Sequence, residues 1–411
     1  MKEQDNGRTE ELSSATWQFI VSHREDDVRT LALQARKYPQ VDMAEAVTQI
    51  AGWQIAVRKI PSWAATEGIL YSRHLSMEQC SSEITALYKA SLVGGESFTD
   101  LTAGLGVDCS FLARRFRRAD YVERQETLCR LAAHNFPLLG LDHIQVHHAD
   151  ALEYLREMEP VDCLFLDPAR RDSHGGKTVA ITECEPDVCA LESLLVEKGR
   201  KVMVKLSPML DMASALRDLK YIRELHVIAV NNECKELTAV LYRMNSVNES
   251  SEKEVVISCE QAVHNSLSEP FTYTLSEEKN AVCQLADRVE TYLYEPGAAL
   301  LKAGPYRLLS QRYGVKKLHP NSHLYTSSVQ VDFPGRCFQV TGISGFGKKE
   351  VKELLGGLEK ANLTVRNFPA SVADLRKKLK LKEGGDVYLF ATTLQNGEKV
   401  LIKCLKPALL S

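Results

Sequence analysis

Three acidic residues stand at the ends of three successive strand-like runs: Asp100 after SFT, Glu123 in YVE and Asp150 in HHAD. Between the first of these and the helix-like run that follows lies the turn Thr102-Ala103-Gly104-Leu105-Gly106-Val107-Asp108. Glycines at a strand-to-helix turn let the backbone close around a ligand where side chains would hold it off. The spacing is D-x-x-x-G-x-G, which is neither the G-x-G-x-x-G of dinucleotide folds nor a loop ending in G-K-[ST]. A carboxylate at the strand end suits an amine-bearing ligand better than a pyrophosphate. Twenty-three residues after Asp100, Glu123 stands where doubly wound folds place an acid against two ribose hydroxyls. Three acids converging on one crevice describe an adenosyl pocket with a charged amino-acid tail.

On these residues the segment 97–244 resembles a class I S-adenosylmethionine-dependent methyltransferase. The resemblance implies S-adenosylmethionine as cofactor. Asp100, Gly104 and Gly106 would surround its methionine part, Thr102 and Asp108 of the same turn would also bind the cofactor, Glu123 would meet the ribose and Asp150 the adenine amino group. The fourth strand ends in Leu166-Asp167-Pro168-Ala169-Arg170-Arg171-Asp172. Relatives that methylate exocyclic amines carry D/N-P-P-Y/F here, in which the acid or amide accepts a hydrogen bond from the amine and the ring stacks on the flipped base. D-P-A-R keeps the acid and the first proline and lacks the ring. It also resembles the motif of RNA uridine carbon-5 methyltransferases, whose cysteine nucleophile stands two residues before a proline on the next strand. In Val204-Lys205-Leu206-Ser207-Pro208 that place holds Leu206, which removes covalent carbon-5 chemistry. Direct transfer to a nitrogen is the remaining reading, with Asp167 and Pro168 catalytic and Arg170, Arg171 and Lys205 on the substrate. For the two arginines a solvated loop paired with Asp172 or Asp187 is the competing assignment.

The elements that must position these residues follow from periodicity. Residues 1–93 read as a helical N-terminal domain, in which Ser81 or Ser82 would cap a helix carrying Ile84, Leu87 and Tyr88. Residues 94–245 alternate strand and helix, which predicts an α/β, Rossmann-like parallel sheet with right-handed crossovers. NSVNESSEKE has the composition of a linker and places a boundary near 246–254. Residues 255–330 read as an adapter of helices and strands, with YLYEPGAALLKAGPYRLLSQRYG taken as helical. Residues 331–411 read as a βαβαββ tail of ferredoxin-like or THUMP-like α+β type, with a Ser371/Asp374 capping box and an Asn396-Gly397 hairpin turn.

Composition excludes whole classes. The chain has 411 residues, 44% hydrophobic and 26% charged, which is not the balance of a disordered, collagenous or membrane protein. No run approaches the roughly 18 apolar residues of a spanning helix, and the polar opening MKEQDNGRTEEL does not read as a signal peptide. A cytoplasmic protein without a membrane partner is expected. The 11 cysteines include no CxxC pair, and the nearest two, Cys184 and Cys189, are five apart, so buried structural thiols are expected and no metal.

Charge is unevenly distributed. Lys and Arg number 51 against 54 Asp and Glu, yet residues 335–407 carry 14 basic against 7 acidic side chains. Arg376, Lys377, Lys378, Lys380 and Lys382, with Arg366 nearby, would form a phosphate-tracking surface. The set M-E-Q-C-S-S-E, L-D-P-A-R-R-D, V-K-L-S-P-M-L-D, N-N-E-C-K-E-L, Y-E-P-G-A-A-L-L-K-A-G and V-R-N-F-P resembles a bacterial methyltransferase family with a C-terminal THUMP-like domain. That resemblance implies an RNA methyltransferase, acting on tRNA or rRNA, and joined to the reading of D-P-A-R and Leu206 it gives methylation of a base nitrogen. A small-molecule or protein methyltransferase, and a non-catalytic RNA-binding protein that senses S-adenosylmethionine, stand as alternatives.

Overall fold

From Ser97 the chain alternates strand and helix because short β-rich apolar runs are separated by capped amphipathic ones. The structure, a computed structural model, describes residues 12–72, 74–170, 181–243, 254–263 and 266–407. The linker-like stretch lies, except for Glu254, outside the described residues. The chain divides into two compact units: 1–223 with 237–253, and 224–236 with 254–411.

The strands of the first part are β1 (Ser97–Asp100), β2 (Arg118–Glu123), β3 (Ile144–His148), β4 (Val161–Leu166), β5 (Ala169–Arg170), β6 (Cys184–Glu185), β7 (Gly199–Leu206), β8 (Ile222–Val230) and β9 (Glu233–Tyr242). Within the first unit the sheet order is β9-β7-β4-β1-β2-β3. All neighbours are parallel except β9, which runs antiparallel to β7. Asp100 stands opposite Tyr121 on one side and Phe165 on the other, so the carboxyl ends of β1, β2 and β4 meet at one edge. Ligands of open parallel sheets bind at that edge.

The N-terminal helices do not form a separate packing unit up to residue 93. Ile55, Ile60, Trp63, Tyr71 and Met77 share one core with Phe98, Tyr121, Phe165 and Met203 of the sheet. Only the first helices close a smaller cluster of their own, around Phe19, Ile20, Met43 and Ile50. The helix Met43–Lys59 connects the two clusters. It starts where Asp42 accepts a hydrogen bond from the Glu45 amide at 3.1 Å, and Pro61 opens the next helix directly after it.

In the second unit β10 (Val256–Val263) runs parallel to β8 and antiparallel to β11 (Ser266–Leu267) and β12 (Phe271–Thr274). A seven-stranded sheet follows, made of β13 (Tyr292–Pro296), β14 (Lys316–Lys317), β15 (Tyr325–Ser327), β16 (Gly335–Ser344), β17 (Asn362–Arg366), β18 (Tyr388–Thr393) and β19 (Lys399–Leu405). Its order is β14-β15-β13-β16-β19-β18-β17. YLYEP is therefore a strand, not the start of a helix. It pairs on both sides, with β15 and β16, and fully buries Leu293 and Tyr294, so lateral pairing outweighs the helical pattern of the residues after it. From β16 the order is β-α-β-α-β-β, with helices Lys348–Leu355 and Val372–Leu379. The Ser371/Asp374 capping box is present, and Gly397 turns the last hairpin at φ +84°. Alternate residues of β18 and β19 face two cores: Phe390 and Ile402 join Phe338, while Leu389 and Leu401 join Leu363 and Leu375. Among the described residues no helix is long and apolar enough to cross a membrane.

Candidate functional site

At the carboxyl edge of the first sheet lies a cavity of about 810 Å³, within the range of small-molecule sites. Its wall includes Thr102, Gly104, Gly106 and Asp108 from the turn after β1, and Glu123 and Asp150 from the ends of β2 and β3. Asp167, Pro168 and Lys205 close it at the ends of β4 and β7. Asp100 lies beneath this wall, 1% exposed.

The turn is held by its own backbone and by Glu123. Gly104 and Gly106 adopt φ +54° and +83°, a region that a side chain disfavours. A Cβ on Gly106 would also come within 3.0 Å of the Phe136 ring, whereas at Gly104 its nearest neighbour would be the Thr102 carbonyl at 3.9 Å, an ordinary contact. Glu123 accepts from the Gly104 amide at 3.0 Å and from the Gln125 amide at 2.8 Å, and the Tyr121 hydroxyl donates to the Gly104 carbonyl. Asp150 caps the helix Ala151–Glu157, accepting from the amides of Leu152 and Glu153 at 2.9 and 3.2 Å.

Asp100 takes the Thr102 amide on one carboxylate oxygen at 3.1 Å, while its other oxygen is buried with no hydrogen-bond partner among the described residues. Burial, reinforced by the nearby charges of Asp108, Asp167 and Glu123, holds this carboxyl well above the usual carboxylate range. A buried acceptor without a donor fits a ligand that brings a cationic amine to the turn.

Asp108 lines the cavity and is also held by other side chains. Its carboxylate accepts from the Ser81 hydroxyl at 2.7 Å and lies 3.0 Å from the Lys89 ammonium and 3.7 Å from that of Lys205. Lys89 is completely buried and also donates to Ser81 at 3.1 Å. Burial pushes the Asp108 carboxyl up, but the two ammonium groups outweigh it and hold the group below its ordinary value. Ser81 thus serves Asp108 and does not cap. The residue at the cap position is Ser82, without a side-chain cap bond. Ser81 and Lys89 escape a reading by motif. One signal was present: Lys89 falls four residues after Thr85 on the buried stripe of the helix Glu83–Ser91, where a lysine needs an internal partner.

At the mouth, Thr102 positions the D-P-A turn, its hydroxyl accepting the Asp167 amide at 2.7 Å. The Asp167 carboxylate accepts from Lys205 at 2.6 Å, and its side chain is 42% exposed. Ala169 and Arg170 pair in β5 with β6, but the Arg170 side chain and all of Arg171 lie outside the described residues, as does Asp172. Asp187 caps its own helix by accepting from the Ala190 amide at 3.1 Å. Arg124, from the turn after β2, pairs with Glu185 at 3.2 Å across the cavity wall. Among the described residues no group of three His, Cys, Asp or Glu side chains has the arrangement of a metal site.

In the second unit Arg366 is not part of an open basic surface. Its Nε and Nη2 donate to one oxygen of Glu295 at 3.0 and 2.8 Å, while Arg336 donates to the other oxygen; Glu295 itself is 1% exposed. A buried carboxylate thus holds both guanidinium groups, whose side chains remain 41% and 35% exposed. Arg376 donates to the Ala361 carbonyl at 3.3 Å, whereas Lys377 and Lys378 are exposed, with the Lys378 ammonium 5.8 Å from the centre of the Phe346 ring.

Known proteins match this arrangement. Residues 292–334 match a ferredoxin-like domain family and residues 335–406 a THUMP domain-like family, so the ferredoxin-like description falls ahead of the βαβαββ tail. No curated protein matches the chain. Among solved structures, a candidate methyltransferase of Porphyromonas gingivalis W83 is 34% identical, with a TM-score of 0.84 over 96% of this chain and 98% of that one. A candidate methyltransferase of Streptococcus mutans in complex with SAH is 14% identical over 39% of this chain and 96% of its own, with a TM-score of 0.29.

Proposed function

This chain belongs to the bacterial family of class I S-adenosylmethionine-dependent methyltransferases that end in a THUMP-like domain, and from that premise we propose that it methylates a base nitrogen of RNA, tRNA or rRNA. The observation that carries the reading is the Asp167 carboxylate, fixed by Lys205 on a cavity whose wall also includes Glu123, Asp150 and the glycine turn.

The residues present fit the cofactor. The unpartnered oxygen of Asp100 would accept from its amine, Gly104 leaves room for its methionine part, Glu123 would take the ribose hydroxyls on its remaining lone pairs and Asp150 would face the adenine. S-adenosylmethionine supplies a methyl group on a sulfonium, an already good leaving group, so the protein's task is positioning. Asp167 accepts a hydrogen bond from the acceptor amine and turns its lone pair toward the cavity. Pro168 fixes the backbone whose carbonyls flank that amine, and Thr102 keeps the turn from rotating away.

The THUMP-like domain, the excess of basic residues in 335–407 and the exposed Lys377 and Lys378 support RNA as the partner. The eleven free thiols suit a reducing cytoplasm. Mass spectrometry of digested RNA nucleosides from cells with and without the protein tests the reading. One methylated nucleoside should disappear with the protein, and an unchanged profile overturns the proposal.

A further inference from the structure

Four charged side chains from four separate elements form a line that ends at the cavity: Lys89, Asp108, Lys205 and Asp167. The inner links measure 3.0 and 3.7 Å and the outer one 2.6 Å. Exposure rises along the line, from 0% at Lys89 through 10% at Asp108 and 12% at Lys205 to 42% at Asp167. The charges alternate along the line, so each ammonium lies beside a carboxylate.

We propose that Lys205 is a positioning residue for methyl transfer, clamping the Asp167 carboxylate at the cavity mouth while Asp108, itself locked by Lys89 and Ser81, clamps Lys205 from behind. The inference builds on the methyltransferase reading above and gives that site a specificity device. Among the described residues, Lys205 is the one described hydrogen-bond partner of the Asp167 carboxylate. Lys205 takes one carboxylate oxygen and leaves the other for a donor. An acceptor presenting an N–H is therefore matched, and one presenting a second anion is repelled. Lys205 acts through Asp167, and needs no contact with the substrate. A lysine suits this place because one compact ammonium is shared between two carboxylates, where an arginine fork would commit to one of them.

The test compares wild type, Lys205→Met, Lys205→Arg, Asp167→Asn and the double variant Lys205→Met/Asp167→Asn. The probe is total RNA from cells lacking the gene, with tritiated S-adenosylmethionine, under single-turnover conditions; cofactor affinity is measured by calorimetry. Lys205→Met is expected to slow transfer on the order of 10²-fold, the cost of a misplaced catalytic group, with cofactor affinity unchanged. Lys205→Arg, which keeps the charge but commits its fork to one carboxylate, should recover only part of that loss. The double variant should be no slower than Asp167→Asn alone. Wild-type turnover in Lys205→Met, or losses that multiply in the double variant, overturn the inference. If the wild-type protein methylates no RNA, the function proposed above falls separately. The crystal structure of Lys205→Met then decides: an Asp167 carboxylate that keeps its place refutes the clamp, and one that has swung out supports it.

Discussion

Each unit buries a carboxylate between two cations, and the two arrangements differ. In the second unit Glu295 is gripped by Arg336 and Arg366, each guanidinium taking one oxygen, and the arginine side chains remain 41% and 35% exposed. In the first unit Asp108 is gripped by Lys89 and Lys205, 0% and 12% exposed, and Lys205 passes the contact on to Asp167. The arginine arrangement is closed: both oxygens are satisfied by planar forks, and the group ties β13, β16 and β17 together. The lysine arrangement is open, since an ammonium is a point charge that two carboxylates can share. One device stabilises a sheet, and the other delivers an aligned carboxylate to a cavity.

The most severe way to sharpen this contrast is Asp167→Ala, which should lower transfer to RNA by about 10²–10⁴-fold while calorimetry finds cofactor binding intact. Retained transfer would reduce the lysine line to scaffolding. Next, Lys89→Met leaves a buried carboxylate short of a cation and should cost about 3–5 kcal/mol in urea denaturation. Arg336→Met leaves Glu295 with Arg366 and should cost about 1–3 kcal/mol. A reversed order would break the comparison.

Asp100 gives an intermediate effect with a defined pH signature. Its folded-state value lies well above the ordinary 3.8 because of burial and then its acidic neighbours. Between those two values the folded carboxyl keeps a proton that the unfolded chain has released, so stability falls as pH rises through this window. Asp100→Asn should remove that slope while weakening S-adenosylmethionine by about 10–100-fold, the worth of a charge-assisted hydrogen bond. Binding an ammonium to Asp100 should release a proton, so calorimetry in buffers of different ionisation enthalpy should show a difference that Asp100→Asn abolishes. Asp108 behaves oppositely: its lowered value stabilises the fold above the ordinary range, and that contribution is lost as pH falls. The smallest effect is expected at Lys377→Gln with Lys378→Gln. The slope of log binding constant against log salt for RNA should drop by roughly 1–2, and an unchanged slope would leave the second unit's charges structural.

Much of the first unit was legible in the sequence, for a local reason. Strand-end acids, turn glycines and helix caps are set by residues within a few positions of one another, so Glu123, Asp150, Gly104 and Gly106 fell where spacing put them, on the cavity wall. The family resemblance rested on the same short motifs. The ion pair of Arg366 is not legible in the sequence, because a lone arginine near a basic helix looks solvated and Glu295, 71 residues earlier, carries no mark of being its partner. YLYEP was misread because its strand pairing is lateral and the helices that follow dominate its periodicity.

The sequence by itself determined the element order, the sheet edge at which chemistry is possible, and the carboxylates and glycines that line it. Only the tertiary structure decided which of the acids are available. It tied Asp108 to Lys89 and Ser81, left one oxygen of Asp100 without a partner among the described residues and set Lys205 on Asp167. Ion pairs among residues 89, 108, 167 and 205, and the hydrogen bonds of Ser81, join separate elements. A charge chooses its partner by burial and distance, and both exist only once those elements have packed.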